Sequence, residues 1–526
     1  IAGSSASSKA FDKTEENYGA LDYWVIKTDR KGTIQWQKTF GGSYNDILED
    51  AIALPDGGFI LGGYSNSPSD GTKTATLNGM GDFWVLRIDK KGELLWQKSY
   101  GGSAASYNYK TIPTNDGGYI MIGETKAHDG DVIGHSIDTV AYPNNFDVWI
   151  VKTDAIGVLQ WQKCLGGRNY DAGSSIIQTS DGGYMICGIT GSIDGDVSGN
   201  HGATDAWLVK LNNSGSIQWQ KCYGGTLNEK AEDIVQTVDG GYIVAATSSS
   251  TNGDVIGNHG NNDVWIIKVD SLGSIKWNKC YGGSNSESLF GISLFGNNYS
   301  RISIKLCADS GYVFSTGTAS IDGDVIGHHG AAGSILIGTT SYTNYDFWVV
   351  KLDTLGTIKW QKTLGGYYPD FANSIIQTSD KGYIATGYTL SNDGDVLFHH
   401  PVTSAQRYDS WTIKLSSLGT IQWQKTFGGS RSDIAFSISQ TSDNGYFITG
   451  NTQSNDGDIA NGPAVGGIKC WNAKTDSAGN TQWQKNFNNK SPYSSFQTND
   501  GGYIVGGKNG RMELTKLSPV PTNVIT

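Results

Sequence analysis

The sequence is short of what builds helical, disulfide-stapled or membrane-spanning proteins. Its 526 residues include only 10 Pro and 4 Met. No apolar run reaches the length of about eighteen residues that a membrane helix needs, so no transmembrane segment is expected. Six cysteines in a chain this long are not a disulfide framework. Cys164, Cys222 and Cys280 share one repeat slot that elsewhere holds Thr39, Ser99, Thr363, Thr426 and Asn486, which reads as a small, half-buried structural thiol. Basic charge is scarce too. Against 39 Lys and Arg stand 50 Asp and Glu, a net charge of −11, so no nucleic-acid partner is expected. The start, Ile1-Ala2-Gly3, has neither Met nor an apolar leader, which leaves open a removed targeting peptide or a start outside this sequence.

Glycine (72) and aromatics (11%) are plentiful, the mix of many short strands joined by glycine turns. One unit recurs: an apolar strand, an Asp-x-x-Gly turn, a strand carrying Trp, then Gly-Gly, as in Lys268 to Gly283. Its Trp falls at Trp36, Trp96, Trp161, Trp219, Trp277, Trp360, Trp423 and Trp483, spaced by 60, 65, 58, 58, 83, 63 and 60 residues. A second Trp precedes each turn: Trp24, Trp84, Trp149, Trp207, Trp265, Trp348, Trp411 and Trp471. These are all 16 tryptophans, two per unit. The unit opens with two further strands joined by an Asp-x-Gly-aromatic hairpin, such as Asp239 to Tyr242.

Eight units of four strands without helix signals predict an all-β chain: an eight-bladed β-propeller of four-stranded antiparallel blades. The third strand of each unit is continuously apolar and is expected to be covered on both faces. The fourth alternates, as an outermost strand does. The first is rich in small residues, as the crowded centre of a ring requires. The paired tryptophans are expected to be structural, filling the gaps between blades. The N-terminus supplies strands for the outer part of a blade, and the C-terminus supplies an inner pair (Ser494 to Thr498, Tyr503 to Gly507). One composite blade is therefore predicted. Two candidates compete for each of its second and third positions, the weak third-strand copy being Met512 to Leu517. Residues 1–518 read as one propeller domain and 519–526 as the start of a linker. Two insertions, Leu294 to Ser300 and Ser334 to Tyr342, decorate the fifth unit.

Antiparallel order puts the short turns on one face of the ring. The Gly-Gly crossovers and the long loops share the other, where a site built from several blades belongs. The long loops carry a second motif: Asp129-Gly-Asp131, Asp194-Gly-Asp196, Asn252-Gly-Asp254, Asp322-Gly-Asp324, Asp393-Gly-Asp395 and Asp456-Gly-Asp458. Most copies lead to an Asp just before the third strand. Such oxygens suit Ca²⁺, although the spacing is not that of an EF-hand. The same residues equally suit turn capping. All eight histidines lie in these loops, one or two per loop, an arrangement that favours packing over a zinc site. No phosphate-binding loop or nucleophile elbow survives inspection, and no acid pair for glycoside cleavage can be singled out. The chain is expected to be a non-enzyme.

Asp29-x-x-Gly32-x-x-x-Trp36 resembles the tryptophan-docking repeat of eight-bladed quinoprotein propellers. That likeness covers the blade skeleton only: no adjacent cysteine pair is present and no cofactor-binding residue maps. The longer string is Asp-x-Trp-x-x-Lys-x-Asp-x-x-Gly-x-x-x-Trp-Gln-Lys-x-x-Gly-Gly, then Gln-Thr-x-Asp-Gly-Gly-Tyr and Asp-Gly-Asp-Val-x-Gly-x-His. It is similar to secreted Bacteroidota propellers and covers nearly the whole chain. This resemblance implies a type IX secretion cargo at the cell surface, in contact with outer-membrane secretion machinery. It also implies O-glycosylation at Asp-Ser/Thr-apolar strings, here at Thr139, Ser271, Thr354 and Ser477. The expected function is loop display for a glycan or protein ligand, as in adhesion. The alternatives are a carbohydrate-active lyase or hydrolase on the long-loop face, and a structural module of a secretion or motility assembly.

Overall fold

The fourth unit shows how the sequence makes a blade. Its strands are Glu229–Gln236, Tyr242–Ser248, Asp263–Val269 and Ile275–Tyr281, hydrogen-bonded in chain order and antiparallel. Asp270 shapes the last turn: its Oδ1 accepts from the N–H of Leu272 at 3.0 Å and of Ser274 at 2.8 Å. Gly273 closes that turn at φ 75°, and a Cβ there would lie 2.9 Å from the ring of Trp219 in the preceding blade. Glycine is needed for both reasons. The third strand is buried at every position, and the fourth is half-buried or exposed over its first three residues and buried at its end.

This computed structural model describes residues 2–9, 13–134, 145–287, 293–294, 297–298, 302–330, 333–337, 340–400, 407–459, 467–487, 494–497 and 501–506. Seven blades follow one another, over residues 46–100, 106–165, 171–223, 229–281, 303–364, 370–427 and 433–487. The eighth is composite. Ser494–Gln497 and Tyr503–Gly506 supply its inner strands, and Asp22–Thr28 and Ile34–Phe40 its outer ones. Its second-strand position is split between the two termini. Tyr503 pairs with Thr28 at one end, and Ala2–Ser5 pairs with Val25 to Asp22 at the other. The copy at 512–517 and the expected linker at 519–526 lie outside the described residues.

The tryptophans are interblade material. Those of the third strands are the largest fully buried side chains, and each Nε1–H donates to the fourth strand of its own blade, as Trp265 does to Asn278 at 3.0 Å. Those of the fourth strands reach the next blade. Trp219 Nε1–H donates to the Ser271 carbonyl at 3.0 Å, and its ring packs edge-on against Tyr242. The same contact runs round the ring and closes through Trp483, which donates to the Arg30 carbonyl and packs on Tyr503. Burying aromatic rings of this size contributes on the order of 3 kcal/mol each. All six cysteines are buried and none is in a disulfide. Both fifth-unit insertions contain hairpins, Ser293–Leu294 with Asn297–Asn298 and Ser334–Ile337 with Thr340–Thr343.

Candidate functional site

The long loops and the crossovers meet on one face, as the strand order dictates. The Asp-Gly-Asp motif is the clamp between them. Its first residue caps the crossover: Ser103 N–H donates to Asp129 at 2.7 Å, Arg168 to Asp194 at 2.9 Å, Thr226 to Asn252 at 3.0 Å, and Ser284, Tyr367 and Ser430 each at 2.7 Å to Asp322, Asp393 and Asp456. The second residue binds the crossover glycine. The N–H groups of Asp131, Asp196, Asp254, Asp324, Asp395 and Asp458 donate to Gly carbonyls at 2.7–2.9 Å. The Oδ2 atoms of the first five accept from the N–H of the same glycines at 3.1–3.4 Å. The next residue, Val132 and its equivalents, is buried. This is the turn-capping role in full. Among the described residues no group of three or more His, Cys, Asp or Glu is arranged to hold a metal ion.

The histidines are bridges between blades. In blades three to six, Nδ1 of His201, His259, His329 and His400 lies 2.7, 2.8, 2.9 and 2.7 Å from Oδ2 of Asp205, Asp263, Asp346 and Asp409. These aspartates begin the third strands and are buried. Each Nε2 faces the motif of the next blade: Asp254 at 3.9 Å, Asp324 at 4.0 Å, Asp395 at 3.6 Å and Asp458 at 3.3 Å. An imidazole between two carboxylates favours its charged form. Burial opposes the charge on His400, but the bonds to Asp409 and Asp458 outweigh it and raise the pKa to about 10.

A second set of acids was not singled out in the sequence. Asp46, Asp171, Glu229, Glu287, Asp370 and Asp433 each stand four residues after the second crossover glycine; all are buried, and all but Glu287 begin a first strand. The recurring Gly-Gly-x-x-x-Asp/Glu string was the available signal. Each accepts from the N–H or hydroxyl groups of its own crossover and loop, although Oδ1 of Asp46 and of Asp370 has no donor. Glu229, for example, accepts from Ser248 Oγ at 2.8 Å, Ser250 N–H at 3.1 Å and Gly225 N–H at 2.7 Å. On the first strands, charged residues break the repeat: buried Lys110, whose Nζ donates to Ser175 Oγ at 3.0 Å, and the Lys230–Glu232 pair at 2.8 Å.

Of the strings tied to glycosylation, Ser271, Thr354 and Ser477 are exposed in turns on the opposite face. Their backbone carbonyls hold Trp219, Trp277 and Trp423. Thr139 and His135 lie outside the described residues.

No protein-family model matches the chain. A stretch of 260 residues, 45% of the chain, is 22% identical to the Regulatory protein FlaEY of Caulobacter vibrioides, and it spans only 27% of that protein. Among solved structures the chain is similar to Sqt1 from Chaetomium thermophilum, with 11% identity, 88% of this chain and 96% of that one covered, and a TM-score of 0.41. It is also similar to a eukaryotic initiation factor, with 10% identity, 89% and 96% covered, and a TM-score of 0.40. A Synechocystis apocarotenoid oxygenase gives 11% identity, 89% and 93% covered, and a TM-score of 0.37. None of these bears on what this chain does.

Proposed function

We propose that the protein is a non-catalytic propeller that presents its long-loop rim to a ligand at the cell exterior, reached by type IX secretion, with a protein as the first candidate ligand and a glycan as the second. One observation carries this. Ile133, Ile256, Ile326 and Leu397 occupy the same position, directly after the buried valine of the motif, and are 71%, 63%, 72% and 81% exposed. Their neighbours in the loop are spent on the clamp. The backbones of three are also pinned: the carbonyls of Ile133 and Ile326 accept from Gln162 and Gln361, and that of Ile256 from Cys280 N–H, all at 3.1 Å. Rigidly held aliphatic side chains in water, repeated on several blades, mark a surface meant to be covered. Exposed Tyr44 and Tyr367 on the crossovers of the same face are what supports the glycan.

The test is surface cross-linking of the protein on its producing cells, with attached proteins identified, alongside a glycan array. Ile256→Ser, Ile326→Ser and Leu397→Ser together are expected to lower capture at least tenfold without moving the melting temperature. Undiminished capture by that variant would sink the proposal.

A further inference from the structure

In six crossovers the first glycine sits between two carboxyl groups from neighbouring blades. A Cβ at Gly224 would lie 2.7 Å from Asp205 Oδ1 and 2.7 Å from Glu229 Oε2. At Gly365 the corresponding atoms are Asp370 Oδ2, at 2.5 Å, and Asp346 Oδ1, at 3.0 Å. Asp22 and Asp46 flank Gly41 in this way, Asp147 and Asp171 flank Gly166, Asp263 and Glu287 flank Gly282, and Asp409 and Asp433 flank Gly428. Only glycine fits there, because any side chain would collide with both acids.

The two members of a pair are not equivalent. The acid after the crossover has more donors: Asp433 Oδ2 accepts from Ser454 Oγ at 2.6 Å and from Gly429 N–H at 3.0 Å, and its Oδ1 accepts from Thr452 Oγ1, whereas in Asp46 and Asp370 the donors reach Oδ2 alone. The third-strand acid spends Oδ2 on its loop. Its Oδ1, in Asp22, Asp205, Asp263, Asp346 and Asp409 alike, is buried and no donor reaches it. A buried charged oxygen without a donor is costly. It recurs in five pairs beside another carboxyl, and once, at Asp82, where Ser106 stands in the partner's sequence position. Two carboxylates that close cannot both remain ionised away from water.

We propose that each of these five pairs holds one proton between its two carboxyls in the folded protein at neutral pH, so that the rim is a ring of carboxyl–carboxylate bonds that bind protons on folding. The proton supplies the missing donor, from one carboxyl to an oxygen of the other. The surrounding charges do not remove the need for it. Asp205 faces His201 and Cys222, with Asp254 on the N–H of Gly224. Asp263 faces His259 and Cys280, with Asp324 beyond the imidazole. Asp346 faces His328 and His329, with Asp395 beyond, and Asp409 faces His400 and then Asp458. In the three pairs with one imidazole, three carboxylates meet at most one cation. Lys13 acts on Asp22, and Lys73 on Asp46. Burial raises Asp22 and Asp433 to about 7 and Glu287 to about 8, and Glu287 lies close enough to bond to Asp263.

The consequence has a definite sign. Unfolded carboxyls release their protons near pH 4, whereas folded Asp22, Asp433 and Glu287 keep theirs to about pH 7 or 8, and burial raises Asp205 and Asp346 in the same direction. Stability is therefore highest in mild acid and falls as pH rises through that range. The experiment is infrared difference spectroscopy in H₂O and D₂O at pH 7 for the stretch of protonated carboxyl groups, with calorimetric unfolding at pH 6.5 in buffers of different ionisation enthalpy. A protonated-carboxyl band and a net release of protons on unfolding are expected. Glu229→Gln, Glu287→Gln, Asp370→Asn and Asp433→Asn together should weaken the band and flatten the dependence of melting temperature on pH, since an amide N–H can donate to the unserved oxygen. Glu287→Gln alone, which disturbs one interface, should reduce the protons released by about one, the share of a single pair. Absence of the band in the unaltered protein, or a melting temperature that rises from pH 5 to pH 8, would overturn the proposal.

Discussion

Asp82 in the first blade and Asp409 in the sixth begin equivalent strands, and neither has exposed surface. The long loop brings a lysine towards the first and a histidine to the second. In blade one the loop reads Asp70-Gly71-Thr72-Lys73. Asp70 caps Ser43 N–H at 3.0 Å as Asp456 caps Ser430, but Thr72 Oγ1, not a carboxylate, accepts from Gly41 N–H at 2.8 Å. Lys73 is buried and attracts Asp82 and Asp46. The composite blade repeats this with Lys13 and Asp22. Each imidazole has a second aspartate on its far side; at the crossovers that follow the lysine blades the motif residue is Thr72 after the composite blade and Asp131 after blade one. Desolvation lowers the buried lysines, Lys13 to about 8, whereas carboxylates on both sides of an imidazole favour its charged form. The rim thus has a lysine stretch, where burial lowers Lys13 and Lys73, and a histidine stretch, where carboxylates raise His329 and His400.

The largest expected effect comes from the lysine side. Lys73→Met removes the buried cation that attracts both Asp82 and Asp46 and should cost about 3 kcal/mol at pH 7, the order of the penalty for leaving a buried charge uncompensated. Asp82, raised by burial to about 6, takes a proton in acid, so the penalty should shrink at pH 5. Urea unfolding at both pH values measures it. An equal loss at both would show that Lys73 acts by packing alone, and the contrast between the two stretches would collapse.

His400→Gln should cost less, about 2 kcal/mol at pH 6, as expected for losing a charge-assisted hydrogen bond. Here the sign is opposite to that at Lys73. The folded pKa lies above the ordinary 6.5, so the contribution is complete below that value and disappears as pH approaches about 10. Melting temperatures of both proteins at pH 6, 8 and 10 should converge. A constant gap would mean that the ring is held for its shape.

The skeleton of this contrast was legible in the sequence, but its content was not. Sixteen tryptophans at two fixed slots gave the number of blades, and the alternation in Ile34 to Lys38 gave the outer edge, because both follow from local periodicity. The composite blade was readable for the same reason. Its split second strand was not, since Ala2–Ser5 and Tyr503–Gly506 each satisfy the pattern and only the space beside Asp22–Thr28 makes them share it. The Asp-Gly-Asp motif was visible, yet calcium and turn capping need the same residues. What separates them is the N–H of Ser103 or Ser430, which comes from another part of the chain. Pairing of Asp205 with Glu229 was equally hidden: the two acids lie 24 residues apart and meet only because a crossover folds between blades.

The smallest expected effect is that of removing calcium, and it checks the premise of the comparison. If a divalent ion neutralised the rim, lysine and histidine would be bystanders. A site filled at a hundred times its Kd stabilises the fold by about 2.7 kcal/mol, which would move a melting temperature by several degrees. The geometry leaves little for such an ion. Asp129, Asp322 and Asp456 give Oδ1 to backbone N–H groups, and Asp254, Asp324 and Asp395 give Oδ2 to a glycine N–H and face an imidazole. A calcium ion placed there would have to displace the histidine as well as the N–H groups. Adding a chelator should therefore shift the melting temperature by less than about 1 °C, well under the change a filled site would give. A larger fall, reversed by added Ca²⁺ and absent in an Asp324→Asn, Asp395→Asn variant, would mean that a metal ion does the work assigned here to His259 and His329.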